Sequence, residues 1–175
     1  MEKVLLHACC GPCSLGSFDK LKDKEIVLFF SNSNIFPKEE WMKRLNNLKK
    51  VGKIFSFEVL EEEYNHEKWK EFILGLENEP EKGKRCLKCF EFNLRNSAKK
   101  AKEIGADFFT TTLSVSKYKS SSDLFKIGKE IEKEIGVKFL DIDFKKDAGY
   151  EKSISLSKKF DIYRQNYCGC EFSDS

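Results

Sequence analysis

The sequence is poor in the residues that carry the commonest hydrolytic and metal chemistries. Its 175 residues contain two histidines, His7 and His66, and one glutamine, Gln165. It has no HExxH zinc motif, no Walker A loop and no GxSxG nucleophile elbow. No apolar run approaches the roughly 18 residues needed to cross a bilayer. Leu6-His7-Ala8-Cys9 has the outline of a lipoprotein cleavage site, but no charged and apolar segments of signal length precede it. A cytoplasmic chain without a membrane partner is expected. No repeat, low-complexity tract or linker interrupts residues 1–175, which are expected to form one domain with a sizeable core.

Net charge is also scarce, at +3, although 35% of the residues are charged. Such a balance permits an RNA partner without requiring one. The Lys- and Glu-rich composition leans thermophilic.

What the sequence does have is seven cysteines in three tight groups. They are Cys9, Cys10 and Cys13 in HACCGPC, Cys86 and Cys89 in RCLKC, and Cys168 and Cys170 in YCGC. Seven are too few for a disulfide scaffold, and an odd one cannot pair internally. Clustered thiolates instead bind soft metals or carry redox chemistry.

Continuous apolar runs predict strands at Val4–Leu6, Ile26–Phe30, Phe55–Leu60, Asp107–Thr112 and Val137–Leu140. Helical stripes lie between them. One follows Pro37 through Trp41, Leu45, Leu48 and Val51. A second runs from Phe90 through Leu94, Ala98 and Ala101 to a cap at Gly105. The third is capped by Ser121, Ser122 or Asp123, carries Leu124, Ile127, Ile131 and Ile135, and stops at Gly136. Strand–helix alternation of this kind predicts a Rossmann-like three-layer α/β fold with a mostly parallel five-stranded sheet. Ligands of such sheets bind beyond the carboxyl ends of the strands. The first cysteine group, the loop 32–37 and the segment 110–119 should therefore converge on one edge.

Cys86 and Cys89, at i and i+3, share one face at a helix start, where the macrodipole should lower their pKa values. They supply half a tetrahedral site, and Cys9 and Cys10 can complete it. Four thiolates suit zinc or an iron–sulfur cluster; the surplus of thiols over four favours iron–sulfur. Cys168-Gly169-Cys170 reads as a redox dithiol or as further metal ligands. His7 is either a donor to a metal ligand or a packed strand histidine. His66 reads as solvated. Asp141, Asp143, Asp147 and Asp161 are candidates for a general acid.

The stretches HACCGPCS, SNSNIFPKEEW, RCLKCFEFNLR, TTTLSVSKYK and DFKKDAGYEKSISLSKKFDIYRQNYCGCEFS together resemble the QueH family of epoxyqueuosine reductases, over essentially the whole chain. The resemblance implies a HUP-type, adenine-nucleotide-hydrolase-like fold with its iron–sulfur site at the carboxyl edge of the strands. It implies removal of the epoxide oxygen of epoxyqueuosine at the tRNA wobble position, without cobalamin. By motif, Cys9, Cys10, Cys86 and Cys89 would ligate a [4Fe–4S] cluster, and Cys168 and Cys170 would be the redox-active pair. Cys13 would bind an additional mononuclear iron together with Cys168 or Cys170.

An electron donor of low potential is needed, and the sequence does not name it. Lys117, Lys119, Tyr150, Lys152 and Arg164 are candidates for tRNA contact, with Lys145, Lys146, Lys84, Arg85 and Lys88 as further cations. Tyr118, Tyr163 and Tyr167 are further stacking aromatics. Position 152 carries Lys where the family pattern leads one to expect Arg. Two rival readings are an iron–sulfur-dependent tRNA-thiolating ATP pyrophosphatase and a zinc-stabilised RNA-binding module without catalysis. The first is disfavoured because Cys9-Cys10-Gly11-Pro12-Cys13-Ser14 replaces a Gly-Ser-rich phosphate loop.

Overall fold

Five parallel strands, in the order β3-β2-β1-β4-β5, form the sheet of this α/β protein. The computed structural model describes residues 1–173 of the 175. The strands are β1 (Lys3–His7), β2 (Glu25–Phe30), β3 (Glu58–Glu61), β4 (Phe108–Thr111) and β5 (Lys138–Phe139). The α-helices are α1 (Gly11–Leu15), α2 (Lys38–Phe55), α3 (His66–Phe72), α4 (Lys84–Glu103), α5 (Ser121–Ile135) and α6 (Gly149–Lys159). Among the described residues no helix is long and apolar enough to cross a membrane.

The continuous apolar character of β1 and β2 follows from burial on both faces. Val4 and Leu6 pack on one side with Trp41, Leu45 and Leu48 of α2. Leu5 packs on the other with Leu94, Ala98 and Ala101 of α4 and Leu124 and Ile131 of α5. Three layers result. Each of these side chains contributes about 1.5–3 kcal/mol through its burial, the alanines less.

The strands expected at 107–112 and 137–140 shorten to Phe108–Thr111 and Lys138–Phe139, and two further boundaries move for local reasons. Phe55 belongs to α2, which ends where Ser56 takes a left-handed conformation, so the third strand begins at Glu58. A short apolar run fits a helix end as well as a strand. The cap of α5 is Ser120, whose side chain accepts the Asp123 N–H; the nearby Ser121, Ser122 and Asp123 are already helical. Gly105 and Gly136 follow their helices with φ of +70° and +89°, as their stop positions require.

The strand order places the topological switch between β1 and β4, because the chain leaves β1 for β2 on one side and returns to β4 on the other. The first cysteines follow β1, and Thr112 to Lys119 follow β4. Candidate site residues therefore lie at the place where this topology opens a crevice.

Candidate active site

Cys9, Cys10 and Cys13 form a triad whose sulfurs lie within 4.8 Å of one another. Helix α1 builds it: Cys10 is the N-cap, and its sulfur accepts the Cys13 N–H at 3.4 Å. Cys9 is held from the turn after β4, since its N–H donates to Thr112 Oγ1 at 3.1 Å and its sulfur lies 3.3 Å from the same hydroxyl. Thiol hydrogen bonds from Cys13 and Cys9, with help from Gln165, hold Cys10 well below the usual thiol range. Sharing with Cys10 pushes Cys9 up to about 11 and raises Cys13 well above its ordinary value. Cys10 is thus the thiol of the triad that ionises most readily. A soft metal displaces such protons on binding.

The other four cysteines line a cavity of about 170 Å³, together with Trp69, Arg85, Tyr118, Lys119 and Asp123. Cys86 and Cys89 sit in the first turns of α4 as expected. Their pKa values do not fall, however. Burial raises Cys86, Cys89 and Cys170 above the ordinary thiol value, outweighing the helix end. Lys119 connects the two groups of thiols. Burial opposes its charge, but Cys168, Cys9, Cys13 and Cys10 together hold its ammonium above the usual lysine range.

All seven cysteines are free thiols. Their surroundings fit a resident metal group. Among the described residues, three buried polar side-chain atoms have no hydrogen-bond partner: Trp69 Nε1, Asn93 Oδ1 and Gln165 Oε1. Each belongs to a residue that also acts on a cysteine, Trp69 and Asn93 on Cys89 and Gln165 on Cys10. Orphaned atoms gathered at the thiols are what a site built for a further group leaves behind.

A model of the family described as epoxyqueuosine reductase QueH matches residues 4–175. The chain belongs to the QueH family. It is 40% identical over 176 residues to the epoxyqueuosine reductase QueH of Thermotoga maritima, covering 99% of this chain and 91% of that protein. It is 37% identical over 177 residues to the QueH of Streptococcus pyogenes, with 97% and 69% covered. For the QueH of Staphylococcus epidermidis the identity is 37% over 180 residues, with 98% and 76% covered.

The remaining candidates of this QueH chain separate. Lys117 is exposed, with its ammonium 4.9 Å from the Tyr150 ring and 5.4 Å from that of Tyr118. Lys152 is paired with Asp19 at 2.8 Å, away from the cavity lining, and Arg164 is exposed. Arg85 is not a surface cation. It is 2% exposed and donates to the carbonyls of Glu77 (3.3 Å) and Glu79, closing the loop before α4. Lys145 is likewise engaged, by the Lys119 carbonyl, Ser121 and Asp143. Asp141, Asp143, Asp147 and Asp161 are absent from the cavity lining, where the carboxylates are Asp123 and Glu81.

Both histidines are buried. His7 bridges strand ends: Nδ1 is 2.8 Å from Thr111 Oγ1 and Nε2 is 3.0 Å from the Ser31 carbonyl. Burial lowers its pKa, so the ring is neutral, with Nε2 as donor. It is a packed strand histidine. His66 is not solvated but 8% exposed, set between the Ser33 carbonyl and the Glu171 carboxylate at 2.8 Å each. Its charged sequence neighbours hid that position, which α3 turns toward Trp69 and Phe36. Asn93 and Thr112 lie inside the stretches RCLKCFEFNLR and TTTLSVSKYK but had no role assigned there, and Trp69 and Arg44 lie outside every quoted stretch. Gln165 had a signal, as the single glutamine of the chain, three residues before Cys168.

Proposed function

We propose that this chain is an epoxyqueuosine reductase whose single catalytic domain, of HUP type, binds its cluster at the carboxyl edge of the sheet. The observation that carries the reading is the convergence of Cys86, Cys89, Cys168, Cys170 and the Lys119 ammonium on one cavity, in a member of the QueH family. Cys9, Cys10, Cys86 and Cys89 are the proposed ligands of a [4Fe–4S] cluster. Cys13, which lies beside Cys9 and Cys10, is the proposed ligand of an additional iron.

Opening an epoxide to an alkene consumes two electrons and two protons and releases water. Bound to these thiolates, an iron–sulfur cluster supplies electrons one at a time. Cys168 and Cys170 can supply the same two electrons and two protons together: two thiols become a disulfide, the epoxide becomes an alkene, and the oxygen leaves as water. An external low-potential donor then restores the dithiol. Lys119 presents an ammonium to the oxygen as its negative charge develops, and its partial burial strengthens that interaction over the same contact in water.

The cavity is smaller than the roughly 300–1,000 Å³ of pockets that enclose a drug-sized ligand. It suits the five-membered ring of the modified base rather than a nucleotide. The rest of the anticodon loop then lies outside, where Tyr118 offers a stacking face and Lys82 and Lys117 offer phosphate contacts.

The test is anaerobic reconstitution with iron and sulfide, then incubation with epoxyqueuosine-containing tRNA and a low-potential reductant. Mass spectrometry of the nucleosides should show conversion to queuosine. An intact cluster with no turnover defeats the proposal.

A further inference from the structure

We infer that the indole N–H of Trp69 and the side-chain amide of Asn93 are a positioning donor pair for the sulfur of Cys89, setting the potential of the metal centre that this thiolate holds. The inference rests on the reading of Cys89 as a metal ligand.

The sulfurs around the cavity differ in what binds them. Cys86 accepts the backbone N–H of Lys82 at 3.3 Å, and Cys170 that of Phe172 at 3.3 Å. Cys170 is also favoured by the Arg85 side chain, whereas the donors at Cys89 come from side chains alone. Asn93, one turn further along α4 and 3% exposed, places Nδ2 at 3.9 Å from Cys89 Sγ and at 3.2 Å from Asn34 Oδ1. Trp69 is fully buried in α3 and lines the same cavity. Its N–H has no hydrogen-bond partner, and the ring packs in one buried cluster with Cys89 and Cys170; from there the indole N–H favours the Cys89 thiolate against the cost of burial. A buried indole N–H ordinarily finds an acceptor.

The direction of that N–H is fixed by stacking. The Trp69 ring lies 5.3 Å from His66 at 20° and 6.3 Å from Phe172 at 26°. His66 is in turn pinned by Ser33 and Glu171. Donors aimed at a ligating sulfur withdraw electron density from it. They favour the reduced centre and raise its potential.

Trp69→Phe keeps the stack and removes the N–H; Asn93→Leu removes the amide at similar volume. Protein reconstituted with iron and sulfide should hold wild-type amounts of both in each variant. A redox titration followed by electron paramagnetic resonance should give a more negative midpoint for each variant, and a lower one still for the pair. A full cluster with an unchanged midpoint in both single variants overturns the inference. A folded Trp69→Phe protein that cannot hold the cluster also overturns it, in favour of a purely structural tryptophan. Cobalt(II) gives an independent readout: its thiolate charge-transfer band should move to lower energy in Trp69→Phe, and an unmoved band counts against the donor. Wild-type protein that takes up no iron and sulfide defeats the ligand assignment instead, and the cobalt band then still tests Trp69.

Discussion

Arg44 Nη1 donates to the carbonyl of Cys168 at 2.7 Å, so a side chain of α2 holds the cysteine pair 124 residues further along the chain. Nη2 donates to the Tyr167 carbonyl at 3.2 Å, and Nε is paired with Glu40 at 2.7 Å. The guanidinium is 2% exposed, so its charge is balanced by Glu40 and its planar fork is filled by main-chain oxygens. Phe36 N donates to the Gly169 carbonyl at 2.8 Å and adds a second fastening from the loop after β2.

Replacing Arg44 therefore loosens the tail rather than the proposed cluster ligands, which precede α1 and lie on α4. Arg44→Met leaves Glu40 without its cation and two carbonyls without donors, a loss of about 3–5 kcal/mol for a broken buried pair. Arg44→Lys restores the charge but not the fork, so it should recover stability more than turnover. Urea unfolding and single-turnover assays on the same preparations measure both. Equal recovery of the two by lysine would contradict a positioning role for the fork.

Gly169 sits in the middle of the fastened tail with φ +108°, and a Cβ there would meet Arg44 Nη1 at 2.8 Å. Gly169→Ala should cost about 1–3 kcal/mol through backbone strain and displace the guanidinium. Gly105→Ala is the control: its φ is +70°, but nothing lies within 4 Å of the added carbon. The control should lose some stability and keep its turnover, whereas Gly169→Ala should lose both. A Gly169→Ala enzyme with wild-type turnover would show that the tail tolerates a shift at Cys168.

Much of this arrangement was legible in the sequence, and the part that was not has a physical reason. Continuous apolar runs marked β1, β2 and β4 because both faces of those strands are covered. Cysteine spacing identified the thiol groups. Which charged or polar residue becomes a buried anchor is decided by tertiary placement, and Arg44 and Arg85 look like any other cation in a chain with 32 of them. Trp69 resembles core filler until α3 is seen to place it, with an unpartnered N–H, in the lining of the cavity. The membership of Cys13 in the triad depends on α1, a helix of five residues with no apolar periodicity to announce it.

Acid should weaken the sheet's far edge through Glu132. Its carboxylate accepts the Phe139 N–H of β5 at 2.9 Å, and this bond, aided by Lys129, holds its pKa below the ordinary 4.5. A depressed carboxylate stabilises the fold above its unfolded pKa, because the unfolded chain binds the proton more readily. That contribution is complete above pH 4.5 and disappears as pH falls through the lowered folded value. Because the side chain is 30% exposed, the effect is screened to under about 1 kcal/mol. Glu132→Gln should be less stable than wild type in urea at pH 7, and the gap should close toward pH 3. A gap independent of pH would assign the loss to packing instead.

At the mouth of the cavity, Tyr118 is 61% exposed, with Lys82 and Lys117 at 5.5 and 5.4 Å from its ring. An exposed aromatic between two cations suits a base stacked on the ring with its phosphates held on either side. Stacking on an aromatic is worth about 1–3 kcal/mol per base by alanine substitution, or roughly 5- to 150-fold in affinity. Tyr118→Ala should raise KM for the tRNA within that range while leaving kcat close to wild type. Tyr118→Phe keeps the face and should leave both constants unchanged. The lysines act through charge, so Lys82→Ala and Lys117→Ala should each flatten the salt dependence of binding without altering the preference for a stacked base. If Tyr118→Ala lowers kcat and leaves KM alone, the ring belongs to the chemistry inside the cavity and not to the docking of the loop outside it.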